Sequence, residues 1–330
     1  MRLLFLFFFA SIGIPAPFCD GGKGKISRGR RVHSISPPWH VGLYKVAKRH
    51  KQICGGSIVT TNAVLTAAHC FSQGRDMPSP TDYAVAAGKL YRGWNNCRDT
   101  TAQKSQVKEI KVPPHYQGIV ANFQDDIAVV FLVKPFNFSS TVAPAGLSFD
   151  PDFDKEQLKE GEWGKVVGWG LTDENSPPSE MLQEASLPFI PIERCIDESP
   201  VSFRSSITGD KICAGYTNGT AVCRGDSGGG LVFFSAVKDH EDYHRITILR
   251  GIVSTSPTSN NECNIYTWAT FTHLLKHEHF LKSVLPDLVE ESIMPKILIK
   301  YGVDDSIQGE HYEKSLQAEN CNCVCPTPNC

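Results

Sequence analysis

The sequence predicts an all-β fold on two observations. Short β-rich runs at residues 52–59, 165–168, 230–234 and 247–254 recur between turn residues. Against them stands one late stretch of helical character, residues 272–285, where Leu274, Leu275, Phe280, Leu281 and Val284 form a rough apolar face. The chain has 330 residues, 41% of them hydrophobic, which is ample for a real core and excludes disorder throughout. Thirty-three basic against thirty-five acidic side chains leave a formal charge of −2, so no global field draws the chain to nucleic acid or to an anionic membrane. Twelve cysteines suit an oxidising, extracellular compartment in which thiols pair.

Taken in order, Arg2 precedes an apolar run from Leu3 to Phe9 that continues through Ile14. One positive charge before a short greasy segment is the layout of a secretory signal, and the segment is too short to span a bilayer. Ser11 and Gly13 satisfy the small-residue rule for cleavage after Gly13. Cleavage after Cys19 is the alternative, and the choice decides whether Cys19 is retained. The working division is a signal over residues 1–18, a propeptide over 19–25, a β domain over 26–286 and a cysteine-containing tail over 287–330, with a secreted, extracellular product. The tail ends in Cys321, Cys323, Cys325 and Cys330. With no histidine beside them, disulfides are the better reading than a metal site.

Three segments carry chemistry. Thr66-Ala67-Ala68-His69-Cys70 sets a histidine after a strand-like run. Asp125-Asp126 stand immediately before the β-branched run that begins at Ile127, which puts a carboxylate at the edge of the core, where it can orient an imidazole. Gly225-Asp226-Ser227-Gly228-Gly229 flanks a serine with glycines, so the backbone can turn sharply and present both hydroxyl and amide. A serine hydroxyl is a poor nucleophile at neutral pH. It needs a base, and the oxyanion made by its attack needs fixed donors, each worth about 3 kcal/mol in the transition state.

Through Thr-Ala-Ala-His-Cys, Asp-Ile-Ala and Gly-Asp-Ser-Gly-Gly, in that order over residues 26–286, the sequence resembles the trypsin-like serine proteases. The resemblance implies two six-stranded antiparallel β-barrels with a C-terminal helix, an active site between the barrels, protein substrates and no metal or organic cofactor. It implies Ser227 as nucleophile, His69 as general base and then acid, and Asp126 as the group that holds the histidine tautomer. Asp126 is preferred to Asp125 because it directly precedes Ile127-Ala128. The amides of Gly225 and Ser227 become the oxyanion donors, and Ser254 the hydroxyl that supports the aspartate. Ile26, thirteen residues before Trp39, takes the place of a new N-terminus freed by a cut after Lys25, its ammonium pairing with Asp226. The rival cut, Arg31-Val32, lies too close to Trp39.

The floor of the specificity pocket falls at Ala221, followed by Val222, where trypsin carries an aspartate. Thr255-Ser256 replaces Trp-Gly on its wall. A neutral pocket implies uncharged, apolar P1 residues and therefore an upstream activating protease of tryptic specificity. Serpin-type inhibitors are the other implied partners. The resemblance also implies the disulfides Cys54–Cys70, Cys195–Cys213 and Cys223–Cys263, and it puts Gly164 and Phe233 where a further family bridge has been lost. Cys19–Cys97 is a guess that would tether the clipped peptide. Asn137-Phe138-Ser139 and Asn218-Gly219-Thr220 are glycosylation sequons.

Within the family, residues 228–233 and 251–257 resemble the catalytic domain of arthropod modular serine proteases, which act in extracellular immune cascades. The few residues before Ile26 leave no room for the recognition modules of those proteins, which points to a stand-alone relative in an immune, venom or digestive setting. The alternative to an active endopeptidase is a catalytically silent homologue that binds a partner through the same cleft.

Overall fold

The computed structural model describes residues 30–32, 37–72, 78–171, 177–217, 221–239, 242–259, 262–264 and 266–286. The expectations for the signal, Cys19, Lys25, Ile26, Asn218 and the tail lie outside the described residues. Strand β1 (Arg30–Arg31) is a two-residue edge strand. The first barrel comprises β2 (His40–Lys45), β3 (Lys51–Ile58), β4 (Ala63–Thr66), β5 (Tyr83–Ala87), β6 (Gln103–Lys111) and β7 (Ala128–Leu132), closed in the order β2-β3-β4-β7-β6-β5. The second comprises β8 (Trp163–Gly168), β9 (Gln183–Ile190), β10 (Lys211–Ala214), β11 (Gly230–Asp239) and β12 (Asp242–Thr255). After a small hairpin of β13 (Thr258–Ser259) and β14 (Glu262–Cys263), β15 (Ala269–His273) completes it. Its order is β9-β10-β15-β12-β11-β8, closed by the β8–β9 pairing, with β1 on the outside of β9.

All these pairings are antiparallel, so inward and outward side chains alternate and each barrel fills with aliphatic residues. Val41, Leu43, Val85, Val130 and Leu132 are among those that fill the first, and Val166, Leu187, Leu231, Val253 and Phe271 the second. A third cluster lies between them: Trp39, Leu65, Ile127 and Val129 from the first barrel meet Val232, Leu249 and Ile252 from the second. Helix α4 (Glu278–Val284) lays Leu281 onto that same cluster, so the C-terminal helix locks the two barrels together.

The helical stretch read at 272–285 begins later than its apolar pattern suggested. Thr272 and His273 belong to β15, where they pair with Ile252 and Gly251 of β12, and a 3-10 turn over Leu274–His277 precedes α4. Three further short helices were missed: α1 (Pro151–Gln157), α2 (Ile192–Glu198) and α3 (Val201–Arg204). At four to seven residues they are too brief to show a period. α1 did carry a local signal, since Asp150 caps it by accepting from the amides of Asp152 and Phe153, and Pro151 opens it.

Cys54–Cys70 and Cys195–Cys213 are formed, with Cα atoms 6.2 and 6.3 Å apart. Cys223 is disulfide-bonded, and the side chain of Cys263 lies outside the described ones. A Cβ on Gly164 would stand 2.5 Å from the Leu231 side chain and 3.0 Å from the Phe233 ring, so these two side chains fill the space in front of Gly164.

Lys89 and Asp99 form an ion pair in which each side chain is 1% exposed, and Asp99 also accepts from the amides of Leu90 and Tyr91. Asp99→Asn strands the buried ammonium and is expected to cost about 3–5 kcal/mol in urea unfolding. Adding Lys89→Met should recover a large part of that loss. A single variant within about 0.5 kcal/mol of wild type would contradict this.

Candidate active site

His69 sits in the 3-10 turn Ala68–Cys70 that follows β4. Two features fix the turn: the Cys54–Cys70 disulfide ties it to β3, and the Thr66 hydroxyl donates to the Gly55 carbonyl at 2.8 Å. The His69 amide donates to one oxygen of Asp126 at 2.9 Å, while its ring Nδ1 meets the other at 2.7 Å. Asp126 is fully buried at the mouth of β7. The second barrel supplies its third donor, the Ser254 hydroxyl, at 2.6 Å. The β12–β15 register slips between Val253 and Thr255, and this irregularity aims Ser254 across the junction.

Burial pushes the Asp126 carboxyl up. His69 outweighs that by charge and by hydrogen bond, with help from Lys211 and Ser254, and holds the group at about 2. The carboxylate is therefore ionised near neutral pH, and it accepts a hydrogen bond from Nδ1–H. Nε2 is left facing away as the acceptor.

The serine lies in a turn that only glycine permits. Gly225 and Gly228 take φ of +101° and +77°. A Cβ on Gly228 would lie 2.1 Å from the Thr66 hydroxyl oxygen and 2.7 Å from the Gly55 carbonyl. The Gly55 amide donates to the Ser227 carbonyl at 2.8 Å. The serine turn of the second barrel is thus seated on β3 and β4, the strands that deliver His69. Ser227 is half-buried. Gln52 donates to the carbonyls of both Gly225 and Cys54, at 3.1 and 3.0 Å, and so pins the peptide on the N-terminal side of Asp226.

Asp226 folds inward and is buried. Its oxygens accept from the amides of Gly170 at 2.8 Å and Cys223 at 3.0 Å, and burial still pushes its pKa up to about 6. Gly168 and Gly170 leave the room: a Cβ on either would stand 2.0 or 2.3 Å from a carboxylate oxygen.

In the neighbouring pocket segment, Ala221 and Val222 are buried. Ser256 donates to the Val222 carbonyl at 3.2 Å, and Thr255 shares a 2.6 Å hydroxyl contact with Thr270. Among the described residues of this segment there is no carboxylate to meet a cationic side chain. Asn137 is exposed.

Four contributors escaped sequence reading. Phe123 stands edge-on to the His69 ring at 5.9 Å, and Gln52, Lys211 and Thr272 hold backbone around the site. The strand period puts Gln52 on the same face as Cys54 but does not mark it as part of the site.

Two closed barrels with this junction define a trypsin-like serine protease domain. The family model "Trypsin" matches residues 26–275, and the chain belongs to that family. Among curated proteins, it is 35% identical over 237 residues to clotting factor C of Tachypleus tridentatus, covering 69% of this chain and 22% of that one. It is 28% identical over 275 residues to the modular serine protease of Drosophila melanogaster, covering 80% and 41%. To the clotting factor G beta subunit of Tachypleus tridentatus it is 31% identical over 202 residues, covering 59% and 62%. The chain thus spans less than two thirds of the length of these relatives.

Asp126 and Asp226, both buried, give opposite pH signatures. The raised Asp226 contributes stability that is present below about pH 4 and lost as pH rises through about 6, on the order of 3 kcal/mol in all. The lowered Asp126 contributes stability that is present above about pH 4 and lost as pH falls toward 2. Urea unfolding of uncut wild type and Asp226→Asn between pH 3 and 8 should show the gap between them shifting across pH 4–6. Parallel curves would contradict the assignment.

Proposed function

We propose that the protein is a secreted serine endopeptidase, made as a zymogen and preferring an uncharged, apolar P1 residue. The observation that carries this reading is the hydrogen-bonded line from Ser254 through Asp126 to His69, with the Ser227 turn seated on the strands that bring the histidine. Ser227 Oγ attacks the scissile carbonyl while His69 Nε2 takes its proton, and the amides of Gly225 and Ser227 receive the oxyanion. His69 then protonates the leaving amine. Water, activated by the same base, releases the acyl group and restores Ser227.

Activation is read the same way. Strand β1 pairs Arg30 and Arg31 with Glu184 and Gln183, and Val32 packs with Trp169 and Leu182. Four residues of extended chain span at most about 14 Å, which bounds how far Ile26 can reach from that anchor toward the Asp226 pocket beside Trp169. An ammonium arriving there would neutralise a carboxylate that burial disfavours. Val32 is itself buried, with its amide on the Leu182 carbonyl, which speaks against the rival cut at Arg31-Val32.

Ala221 at the pocket floor supports apolar P1 selection, so the Lys25-Ile26 bond falls to a separate protease of tryptic specificity. The clotting and modular proteases among the relatives support a place in an extracellular proteolytic cascade.

Fluorophosphonate labelling before and after a controlled cut at Lys25-Ile26, with Ser227→Ala as the blank, tests the reading. Labelling of Ser227 only after the cut is expected. No labelling in folded, correctly cut protein would favour the silent binding homologue. In peptide profiling, apolar P1 residues should exceed Lys or Arg by about 10–200-fold in kcat/KM, and Ala221→Asp should raise cleavage after Lys and Arg. A wild-type preference for basic P1 would overturn the pocket assignment.

A further inference from the structure

Five residues that end at Asp126 form an unusual stretch of backbone. Asn122, Phe123 and Asp125 all take left-handed φ, at 51°, 58° and 58°, without being glycine. Asn and Asp tolerate this region, but Phe123 is held in it against its own preference, so neighbours must fix it. Part of the fixing is local: the amides of Asn122 and Phe123 donate to the carbonyls of Ile119 and Gly118, and the Ile127 amide to that of Asp125. The rest comes from the other barrel. Lys211, on β10, donates from Nζ to the Phe123 carbonyl at 2.8 Å and to the Thr272 hydroxyl at 3.0 Å. Thr272 passes the bond on, donating to the Asp126 carbonyl at 2.9 Å. Asp210 accepts from the Asp125 amide at 2.9 Å and stands 3.3 Å from the same ammonium.

The Lys211 side chain is 0% exposed, and its three donors meet these three acceptors. A lysine placed this way touches no substrate, yet it fixes Phe123, whose ring abuts His69, and Asp126, which orients His69.

We propose that Lys211 is a positioning residue for the His69–Asp126 pair: a buried ammonium that clamps the left-handed loop of the first barrel to the second. The inference rests on the protease reading above.

The surrounding charges make the clamp electrostatic as well as geometric. Asp125 and Asp126 face the ammonium from the loop and Asp210 from the turn that precedes β10. His277, in the turn after β15, bridges Asp125 at 3.2 Å and Asp210 at 3.5 Å. Beyond these, His273 pairs with Asp154, and His115 acts on Asp125 from the first barrel. Asp125, Asp210 and His277 offer ligand atoms within 4.8 Å of one another, but the cation that balances their carboxylates is already Lys211. Removing it leaves the carboxylates under the pair less compensated, so a proton is held there more readily.

The test compares cut, fluorophosphonate-reactive wild type with Lys211→Met, Thr272→Val and the double variant Lys211→Met with Asp210→Asn, measuring kcat and KM against pH on a short peptide with an apolar P1. Lys211→Met should lower kcat about tenfold at little-changed KM and move the acid limb of kcat/KM up by about half a pH unit. The double variant should return the limb toward wild type while kcat stays low, a pattern that lost packing alone would not give. Thr272→Val breaks the relay without changing charge, so it should lower kcat and leave the limb in place. Lys211→Met indistinguishable from wild type in kcat and limb would overturn the inference. If that variant fails to fold, an unchanged kcat in Thr272→Val overturns it instead. Wild type that neither labels nor cleaves would sink the protease reading, and this inference with it.

Discussion

A carboxylate sealed from water at the junction of two barrels is the constraint on which the rest of this structure depends. Asp126 is fully buried, and it keeps its charge because every approach to it carries a compensating group: two donors from His69, one from Ser254 and the nearby ammonium of Lys211. Burying a charge without such partners would cost several kcal/mol, so the aspartate cannot be accommodated by one barrel alone. The histidine belongs to the first barrel, whereas Ser254 and Lys211 belong to the second. The site and the interface between barrels therefore stabilise one another.

The same dependence explains the glycines around Ser227. The serine turn must lie close to β3 and β4 to face the histidine, and a side chain on Gly228 would drive it off Thr66. Asp226 must also be swallowed beneath that turn, and Gly168 and Gly170 leave its carboxylate space. Asp126 and Asp226 differ in what compensates them. Among the described residues, Asp126 has cationic and hydroxyl partners and sits low, while Asp226 is met by backbone amides and sits high.

What could be read from the sequence divides along chain separation. His69, Asp126 and Ser227 each lie in a run whose immediate neighbours carry the signal: an alanine pair and a cysteine, a β-branched strand, a set of glycines. The all-β class was equally legible, because strands reveal themselves over five or six residues. Helices α1, α2 and α3 were not, being shorter than two turns or close to it, and the last two residues of β15 were read as helix because Thr272 and His273 owe their conformation to pairing with β12. Lys211, Gln52 and Thr272 were invisible for a related reason. They act on backbone atoms 88, 173 and 146 residues away in the chain, and nothing in their local sequence separates them from ordinary strand residues.

The claim that the Asp126 carboxylate organises the site is tested most directly by kcat/KM of the cut enzyme with Asp126→Asn, a change that keeps shape and removes charge. An amide there would stabilise the wrong histidine tautomer and cannot support the imidazolium, so a loss of about four orders of magnitude is expected, with the protein still folded by circular dichroism. A loss smaller than about tenfold would mean that the buried carboxylate is not what prepares His69, and the account built on it would fail.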